Sequence, residues 1–267
     1  GERQYDGPTE RNYACRHGAG RNCKRDTLYA ETPASAGSFR FDEAVVSVFP
    51  DMIRRSVPGY ETTLALTGRL AARYVQDHSA VVDLGCSLGD SLLACAQALE
   101  GRPVTLLGVD NAAPMIAQAE ARFAALALTP GPRFEHADLE ALAYPSASLF
   151  ILNWTLQFLP LEARGPLMAR LFAALRPGGA LVLSEKIRDP DPEVDALLGT
   201  LHHDFKAAQG YSPAEIEGKR QALETVLVRE TVAQHEARLR QAGFPRVTVL
   251  LQQLNFVTIL ALKPHAA

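Results

Sequence analysis

The stretch AVVDLGCSLG, residues 80–89, most restricts what this chain can fold into. A short apolar run rich in β-branched residues ends in Asp83, and Gly85 and Gly89 follow at once. Residues 91–99 (SLLACAQAL) then have the composition of a helix. A strand that turns through glycines into a helix exposes backbone N–H groups to a ligand, and a Cβ would block such a turn. The motif therefore predicts one edge of a nucleotide-type pocket.

A second predicted strand, residues 104–109 (VTLLGV), ends in Asp110 and Asn111. An acid at the tip of the second strand of a βαβ unit can accept hydrogen bonds from ribose hydroxyls. Asp83 and Asp90 flank the glycine loop, and their charges would repel a pyrophosphate but not an ammonium or a sulfonium. The pattern thus favours S-adenosylmethionine over a dinucleotide. The alternative is a plain turn between strand and helix in any doubly wound protein.

Strand and helix signals alternate through the rest of the chain. Strands are expected near 80–84, 104–109, 133–136, 148–153 and 180–185, with a final pair between 246 and 263 of which at least one is antiparallel. Helices are expected near 90–99, 114–127, 161–175 and 231–242, and the third of them stops at RPGG, residues 176–179. This order predicts an α/β fold with a mostly parallel sheet and helices on both faces. Its ligand is expected beyond the carboxyl ends of the strands.

Two further helical segments accompany this core. Apolar residues recur at helical spacing over 41–49 and over 61–75, and Pro58–Gly59 breaks the helix between them. A helical insertion over about 191–230 separates the fifth strand from the last core helix.

The N-terminal residues 1–24 are polar and lack periodicity. We expect a disordered extension or a cloning remnant there, ahead of a single domain over 25–267. Cys15, His17 and Cys23 lack a fourth ligand, so no metal site is expected.

Composition narrows the class of protein. The chain has 267 residues, 47% of them hydrophobic, which is enough for one large α/β domain with a substantial core. A net charge of −3 argues against direct nucleic-acid binding, which needs clustered Lys and Arg. No apolar run is long enough to span a bilayer, and no signal-peptide pattern opens the sequence, so no membrane partner is expected. Four cysteines without a disulfide framework predict a cytoplasmic location.

Other polar residues could face the cleft. Asp138 follows the third predicted strand, where it could hold an adenine together with neighbouring backbone amides, or could only cap the next turn. Asn153 ends the fourth strand, where a polar side chain faces the ligand. Lys186 could be a cleft cation or an ordinary surface lysine, and the surface position is favoured. Of the adjacent His202 and His203, one is expected to pack and the other to be exposed.

Arg220 is the most diagnostic cation. It is expected within a helical stripe of apolar residues formed by Ile216, Leu223 and Leu227. A guanidinium in such surroundings needs a carboxylate partner, because an unpaired buried charge is very costly. Glu224, one turn on, could supply it, or a ligand carboxylate could be gripped in a bidentate manner. Position alone does not decide between the two.

From about Arg25 onward the chain contains a series of long motifs: RDTLYA, FDEAVVSVFPDMIRRSVPGY, DLGCSLG, VDNAAPMI, LNWTLQFL, GGALVLSEK, HHDFKAAQGYS and EIEGKRQALE. Together they resemble the carboxy-S-adenosyl-L-methionine synthase family, which belongs to the wobble-uridine modification route of bacterial tRNA. Departures are small: Leu139 stands where the family often has Ile, and Trp154 where it often has Phe.

The resemblance implies a class I methyltransferase (Rossmann-like) fold, with a seven-stranded, mostly parallel sheet and an antiparallel C-terminal strand, in a homodimer. It also implies an enzyme that converts S-adenosylmethionine and prephenate into carboxy-S-adenosyl-L-methionine, phenylpyruvate and water without a metal. A downstream tRNA carboxymethyltransferase would use the product. The residues implied to contact the cofactor are Tyr60, Gly85, Cys86, Ser87, Asp110, Asn111, Asp138, Leu139 and Asn153. Arg220 would pair with the extra carboxylate of the product.

Two matters stay open at this point. The carboxylates of prephenate have only Arg54, Arg55 and Lys186 as candidate partners. The rival functions are a conventional S-adenosylmethionine-dependent methyltransferase acting on a small molecule or RNA, and a non-catalytic cofactor-binding protein. Arg220 on an apolar face counts against the methyltransferase, because unmodified S-adenosylmethionine has no second carboxylate to meet that charge.

Overall fold

The computed structural model describes residues 24–30 and 39–266, so the expectations for residues 1–23, including Cys15, His17 and Cys23, lie outside the described residues. Seven strands form one sheet in the order β3-β2-β1-β4-β5-β7-β6. Their bounds are β1 Ala80–Leu84, β2 Thr105–Asp110, β3 Arg133–His136, β4 Ala147–Asn153, β5 Leu175–Lys186, β6 Arg246–Gln253 and β7 Phe256–Leu262.

The sheet is parallel from β3 to β5, and β7 runs antiparallel to both of its neighbours. The expected mostly parallel sheet with an antiparallel C-terminal strand is therefore confirmed. Strand order reverses between β1 and β4, which places a crevice at the carboxyl ends of these strands.

Helices cover both faces of the sheet, as expected. The helices are α1 Glu43–Ser56, α2 Tyr60–Tyr74, α3 Asp90–Ala98, α4 Ala113–Ala124, α5 Leu161–Ala174, α6 Pro192–Ala208, α7 Pro213–Leu223 and α8 Val232–Gln241. One buried apolar cluster joins the sheet to α5 and α8, and another joins the opposite face to α2 and α3. In the described part of the chain, no helix combines the length and apolarity needed to cross a bilayer.

Two element bounds differ from expectation. Helix α1 does not end near residue 49 but continues through Pro50 to Ser56. Proline removes one helical hydrogen bond, yet Phe49 and Met52 bury apolar area on the same face, which keeps the helix intact. Strand β5 begins at Leu175, directly after α5, so the RPGG turn is an irregular start of the strand rather than a spacer before it.

Candidate active site

A cavity of about 340 Å³ opens at the carboxyl ends of the parallel strands. It is bounded by the loops after β1, β2, β3 and β4 and by residues of α1, α6 and α7. Nine of the ten residues implied to contact the cofactor line it: Tyr60, Gly85, Cys86, Ser87, Asp110, Asn111, Asp138, Leu139 and Asn153. The tenth, Arg220, is not among the lining residues.

The glycine loop follows β1 through Gly85, whose φ is +73°. A Cβ at this position would overlap the Oγ1 of Thr155 and lie 2.5 Å from its Cγ2. The Thr155 hydroxyl donates a hydrogen bond to the carbonyl of Leu84 at 2.7 Å, so it is fixed in place. Glycine is required both for the left-handed backbone and for this close approach.

Three backbone N–H groups of the loop are already used within the protein, so they are not open to a ligand in the way that the sequence predicted. Those of Gly85 and Cys86 both donate to the carbonyl of Val109, at 2.8 and 3.0 Å. That of Ser87 donates to Asp110 Oδ2 at 2.9 Å. A phosphate group needs such donors, so these three positions offer it little.

Asp110 ends β2 and is 8% exposed. Its Oδ2 accepts the Ser87 N–H, and its Oδ1 accepts the N–H of Ala112 at 2.9 Å. Burial raises the pKa of Asp110, and these backbone donors oppose the shift. A carboxylate oxygen can accept more than one hydrogen bond, so the fixed group still has capacity for ribose hydroxyls.

The two acids that flank the loop differ in charge. Asp90 accepts hydrogen bonds from the Tyr60 hydroxyl at 2.5 Å and from Arg122 at 2.6 Å. Burial opposes ionisation of Asp90, but Arg122 and Tyr60 lower its pKa overall. Burial, with the charges of Asp110 and Asp90, raises the pKa of Asp83 to about 8. The repulsion of a pyrophosphate that the sequence predicts from these two acids is therefore weakened, because Asp83 is protonated near pH 7 and Arg122 neutralises Asp90.

Asn153 is held in one orientation by a polar network on the floor of the cavity. Its Nδ2 donates to Ser91 Oγ at 3.0 Å, and its Oδ1 accepts from Ser184 Oγ at 2.7 Å. Ser184 in turn lies 2.9 Å from the hydroxyl of Thr258. Such mutually satisfied groups fix the position of a cleft-facing amide.

Asp138 caps a turn and also lines the cavity. Its Oδ1 accepts the N–H of Glu140 at 2.9 Å, as a turn cap does, and the residue also lines the cavity. Leu139 beside it is buried. Cys86 lines the cavity as well, and burial raises the pKa of its thiol well above the usual value, so the sulfur is uncharged and packs as a small apolar group.

The expectation for the surroundings of Arg220 is wrong. Its side chain is 46% exposed and makes two hydrogen bonds to Glu217, at 2.9 and 2.7 Å, with Glu224 at 3.8 Å. The predicted apolar stripe fails because α7 ends at Leu223, so Leu227 is not on the same helix. Lys219, the preceding residue, takes the inward position instead.

The cavity carries a wall of lysines that the sequence analysis largely missed. Lys186, Lys206 and Lys219 all line it, so the surface assignment for Lys186 is wrong. Lys206 lies one helical turn after His202, and this i, i+4 spacing was the only available signal. His202 is buried and packs with its Nε2 2.7 Å from the carbonyl of Ser56. His203, the next residue on α6, is partly exposed, whereas the sequence analysis expected one packed and one exposed histidine.

Arg54 and Arg55, the other cations considered for prephenate, do not line the cavity. Arg54 pairs with Glu61 at 2.7 Å. Arg55 is buried, pairs with Asp51 at 2.9 Å and lies over the ring of Tyr211 at 3.9 Å. Both guanidinium groups are therefore engaged in holding α1 in place.

Comparison with known proteins gives the family. The family model for a methyltransferase domain matches residues 81–179. The carboxy-S-adenosyl-L-methionine synthase of Shewanella amazonensis is 45% identical over 240 residues, which cover 90% of this chain and 99% of that protein. This chain belongs to the carboxy-S-adenosyl-L-methionine synthase family. The synthases of Photorhabdus laumondii and Salmonella typhimurium are each 42% identical, over 90% and 91% of this chain and 95% and 98% of their own.

Solved methyltransferase structures share the fold of this synthase-family chain. An O-methyltransferase family protein from Burkholderia thailandensis aligns with a TM-score of 0.64 at 16% identity, over 85% of this chain and 62% of that one. Human N-acetylserotonin methyltransferase in complex with SAM aligns with a TM-score of 0.57 at 18% identity, over 83% of this chain and 55% of that one. At such identities the likeness establishes the fold alone.

Proposed function

We infer that this chain converts S-adenosylmethionine and prephenate into carboxy-S-adenosyl-L-methionine, phenylpyruvate and water. Membership of a family whose named relatives are synthases of that product carries the inference. The product would supply the carboxymethyl donor for 5-oxyacetyl modification of the tRNA wobble uridine, through a separate tRNA carboxymethyltransferase in the same cytoplasm.

The acidic side of the cavity suits S-adenosylmethionine. Asp110 can accept hydrogen bonds from the ribose, and Asp138 with Leu139 can hold the adenine edge. Gly85 leaves room beside the ligand that a Cβ would fill. Asp83 is neutral near pH 7 when no cation lies beside it, and a bound ammonium or sulfonium would favour its ionised form.

The reaction does not require a side chain that acts as a strong acid or base. In prephenate, the bond to the ring carboxylate breaks and hydroxide leaves as the ring becomes aromatic. The released carbon dioxide bonds to the methyl carbon of S-adenosylmethionine, which loses a proton, and that proton and the hydroxide make water. Such a sequence needs a closed cavity that holds both molecules in place and keeps carbon dioxide from escaping.

We propose that the chain acts as a homodimer. The side chains of Val194, Leu197 and Leu201 recur along α6 at helical spacing and are 39%, 56% and 39% exposed. An apolar stripe of this kind suits burial against a second copy. Arg220 lies on the neighbouring α7, outside its own cavity, so its proposed contact with the new carboxylate requires either a movement or delivery to a second subunit.

The experiment is to incubate the purified protein with S-adenosylmethionine, with and without prephenate, and to identify the products by mass spectrometry. Carboxy-S-adenosyl-L-methionine and phenylpyruvate should appear together, and only with prephenate. Arg220→Leu should lose the carboxylated compound that is released from wild-type protein on denaturation. Arg240→Leu, at an exposed arginine of α8, is the matched control and should retain it.

The names of the curated relatives do not favour the alternative function, a conventional methyltransferase. The pairing of Arg220 with Glu217 removes the objection that its charge demands a ligand carboxylate. Incubation with methyl-labelled S-adenosylmethionine and small-molecule or RNA acceptors separates the two functions. Label transferred to an acceptor as a methyl group, with no carboxylated product from prephenate, would favour the methyltransferase.

A further inference from the structure

Three lysines on three different elements meet at one side of the cavity. Lys186 ends β5, Lys206 lies in the last turn of α6, and Lys219 lies on α7. The acids Asp83, Asp110 and Asp138 lie at the carboxyl ends of β1, β2 and β3, and β4 separates these strands from β5, which carries Lys186. The cavity therefore has an acidic side and a basic side.

Lys219 has its countercharge within the protein. Its Nζ lies 2.5 Å from Asp26 Oδ2 and donates to the hydroxyl of Tyr211 at 2.8 Å. Both the lysine and the aspartate are at most 5% exposed at their side chains. Such a buried, satisfied pair is a structural contact that ties α7 to the N-terminal segment.

Lys186 and Lys206 have no such partner. Among residues 24–30 and 39–266, neither ammonium makes a hydrogen bond or lies within 4.0 Å of a carboxylate. The acid that acts on Lys186, Asp195, is itself held by two hydrogen bonds from Arg229, at 2.9 and 3.1 Å. Lys206 is 6% exposed, and the Nζ of Lys186 lies 5.9 Å from the ring centre of Phe256.

Lys206 is buried and Lys186 is partly buried, and an ammonium group withdrawn from bulk water without a partner is costly to the folded protein. Burial lowers the pKa of Lys186 to about 8, and burial together with Lys186 and Lys219 lowers that of Lys206 to about 7. A ligand that brings negative charge would restore both groups to their charged form. The side of the cavity that holds Lys186 and Lys206 should therefore bind an anion favourably.

We propose that Lys186 and Lys206 form the anion subsite that receives the two carboxylates of the second substrate, a small dicarboxylate. This assignment rests on the proposed function. Two unpaired ammonium groups match a dianion in charge, whereas Lys219 is neutralised by Asp26. Phe256 and Leu223 line the same cavity and offer apolar contact to a six-membered carbon ring.

The test uses Lys186→Met and Lys206→Met in the full chain, with Lys263→Met as the matched control. Lys263 is a lysine outside the cavity whose Nζ donates to the carbonyls of Phe172 and Leu175. The Michaelis constant for prephenate should rise roughly 10- to 100-fold in each cavity variant, because a charge-assisted hydrogen bond is lost. The dissociation constant for S-adenosylmethionine, measured by calorimetry, should stay within about twofold. Neither melting temperature should fall, since an unpaired buried charge is removed.

Several outcomes would overturn the subsite. An unchanged Michaelis constant for prephenate would do so, as would an equal loss of affinity for S-adenosylmethionine, which would assign the lysines to the methionine carboxylate. Lys→Arg variants at the two positions keep the charge and should recover part of the loss.

Failure of the proposed reaction can be distinguished from failure of the lysine subsite. If wild-type protein makes no carboxylated product, calorimetry of prephenate and of the monocarboxylate phenylpyruvate against the protein saturated with S-adenosylmethionine still tests the subsite. Weaker prephenate binding in both Met variants would then uphold it, and unchanged binding would overturn it.

Discussion

Replacing Gly85 by Ala should damage both stability and the cofactor site, and the structure sets the size of the effect. A non-glycine residue in the left-handed region costs about 1–2 kcal/mol. The new Cβ must also push Thr155 aside, and overpacking of this kind costs about 1–3 kcal/mol. Loss of the hydrogen bond from Thr155 to Leu84 adds about 1 kcal/mol. The free energy of unfolding should therefore fall by about 3–6 kcal/mol.

The control for this variant is Gly101→Ala. Gly101 has φ +74°, almost the same as Gly85, but a Cβ there would have nothing within 4 Å. The free energy of unfolding of Gly101→Ala should fall only by the cost of the left-handed backbone, about 1–2 kcal/mol. Urea denaturation gives both values, and calorimetry should show weakened S-adenosylmethionine binding only for Gly85→Ala.

A double variant isolates the contact itself. Thr155→Ala in the Gly85→Ala background removes the two nearest atoms that the new Cβ meets, Oγ1 and Cγ2, and leaves only the Cβ of residue 155 at 2.9 Å. It should recover about 1–3 kcal/mol as a coupling energy. The reasoning is refuted if the two glycine variants lose stability equally, or if the double-variant cycle shows no coupling.

Burial raises the pKa of Asp83 to about 8, above the unfolded value near 4, so the folded state holds an extra proton between those values and stability falls as pH rises. From about pH 5 to 8 the loss relative to Asp83→Asn should reach about 1.4 kcal/mol per pH unit in urea titrations, and parallel curves would contradict it. Arg164→Met leaves the buried Glu230 short of one partner and should cost about 3–5 kcal/mol in unfolding free energy; a loss below about 1 kcal/mol would argue against the pair. Tyr60→Phe removes the hydroxyl bond to Asp90 and should cost about 1.5–3 kcal/mol in the same assay, a prediction that unchanged stability would rule out.

Much of the fold could be predicted from the sequence, because the core strands are continuous apolar runs bounded by glycine, proline and acids. The strand β1 and the helix α3 after it fall where the AVVDLGCSLG motif predicts them. The end of α1 was not predictable in the same way, since Pro50 reads as a helix breaker unless the buried partners of Met52 are known. In α1, tertiary packing outweighs the low helix propensity of proline.

The site was predicted unevenly. Asp110 and Asn153 sit at strand ends, where topology alone fixes their direction. Lys206 was not found, because its burial depends on how α6 packs against α7 and α1, and the i, i+4 spacing from His202 alone does not reveal that packing. Arg220 failed for a related reason: a helical stripe argument assumes that the helix continues, and α7 ends three residues later.

The polarity of the cavity has a consequence for how turnover finishes. Carboxyl transfer moves one negative charge away from Lys186 and Lys206 and towards the side that holds Asp83 and Asp110. Phenylpyruvate leaves as a monoanion from a pair of lysines suited to a dianion. The new carboxylate of carboxy-S-adenosyl-L-methionine faces aspartates that repel it. Retention of the finished metabolite would then depend on a cation from outside the cavity, and the proposed one, the guanidinium of Arg220, would have to exchange Glu217 for the new carboxylate.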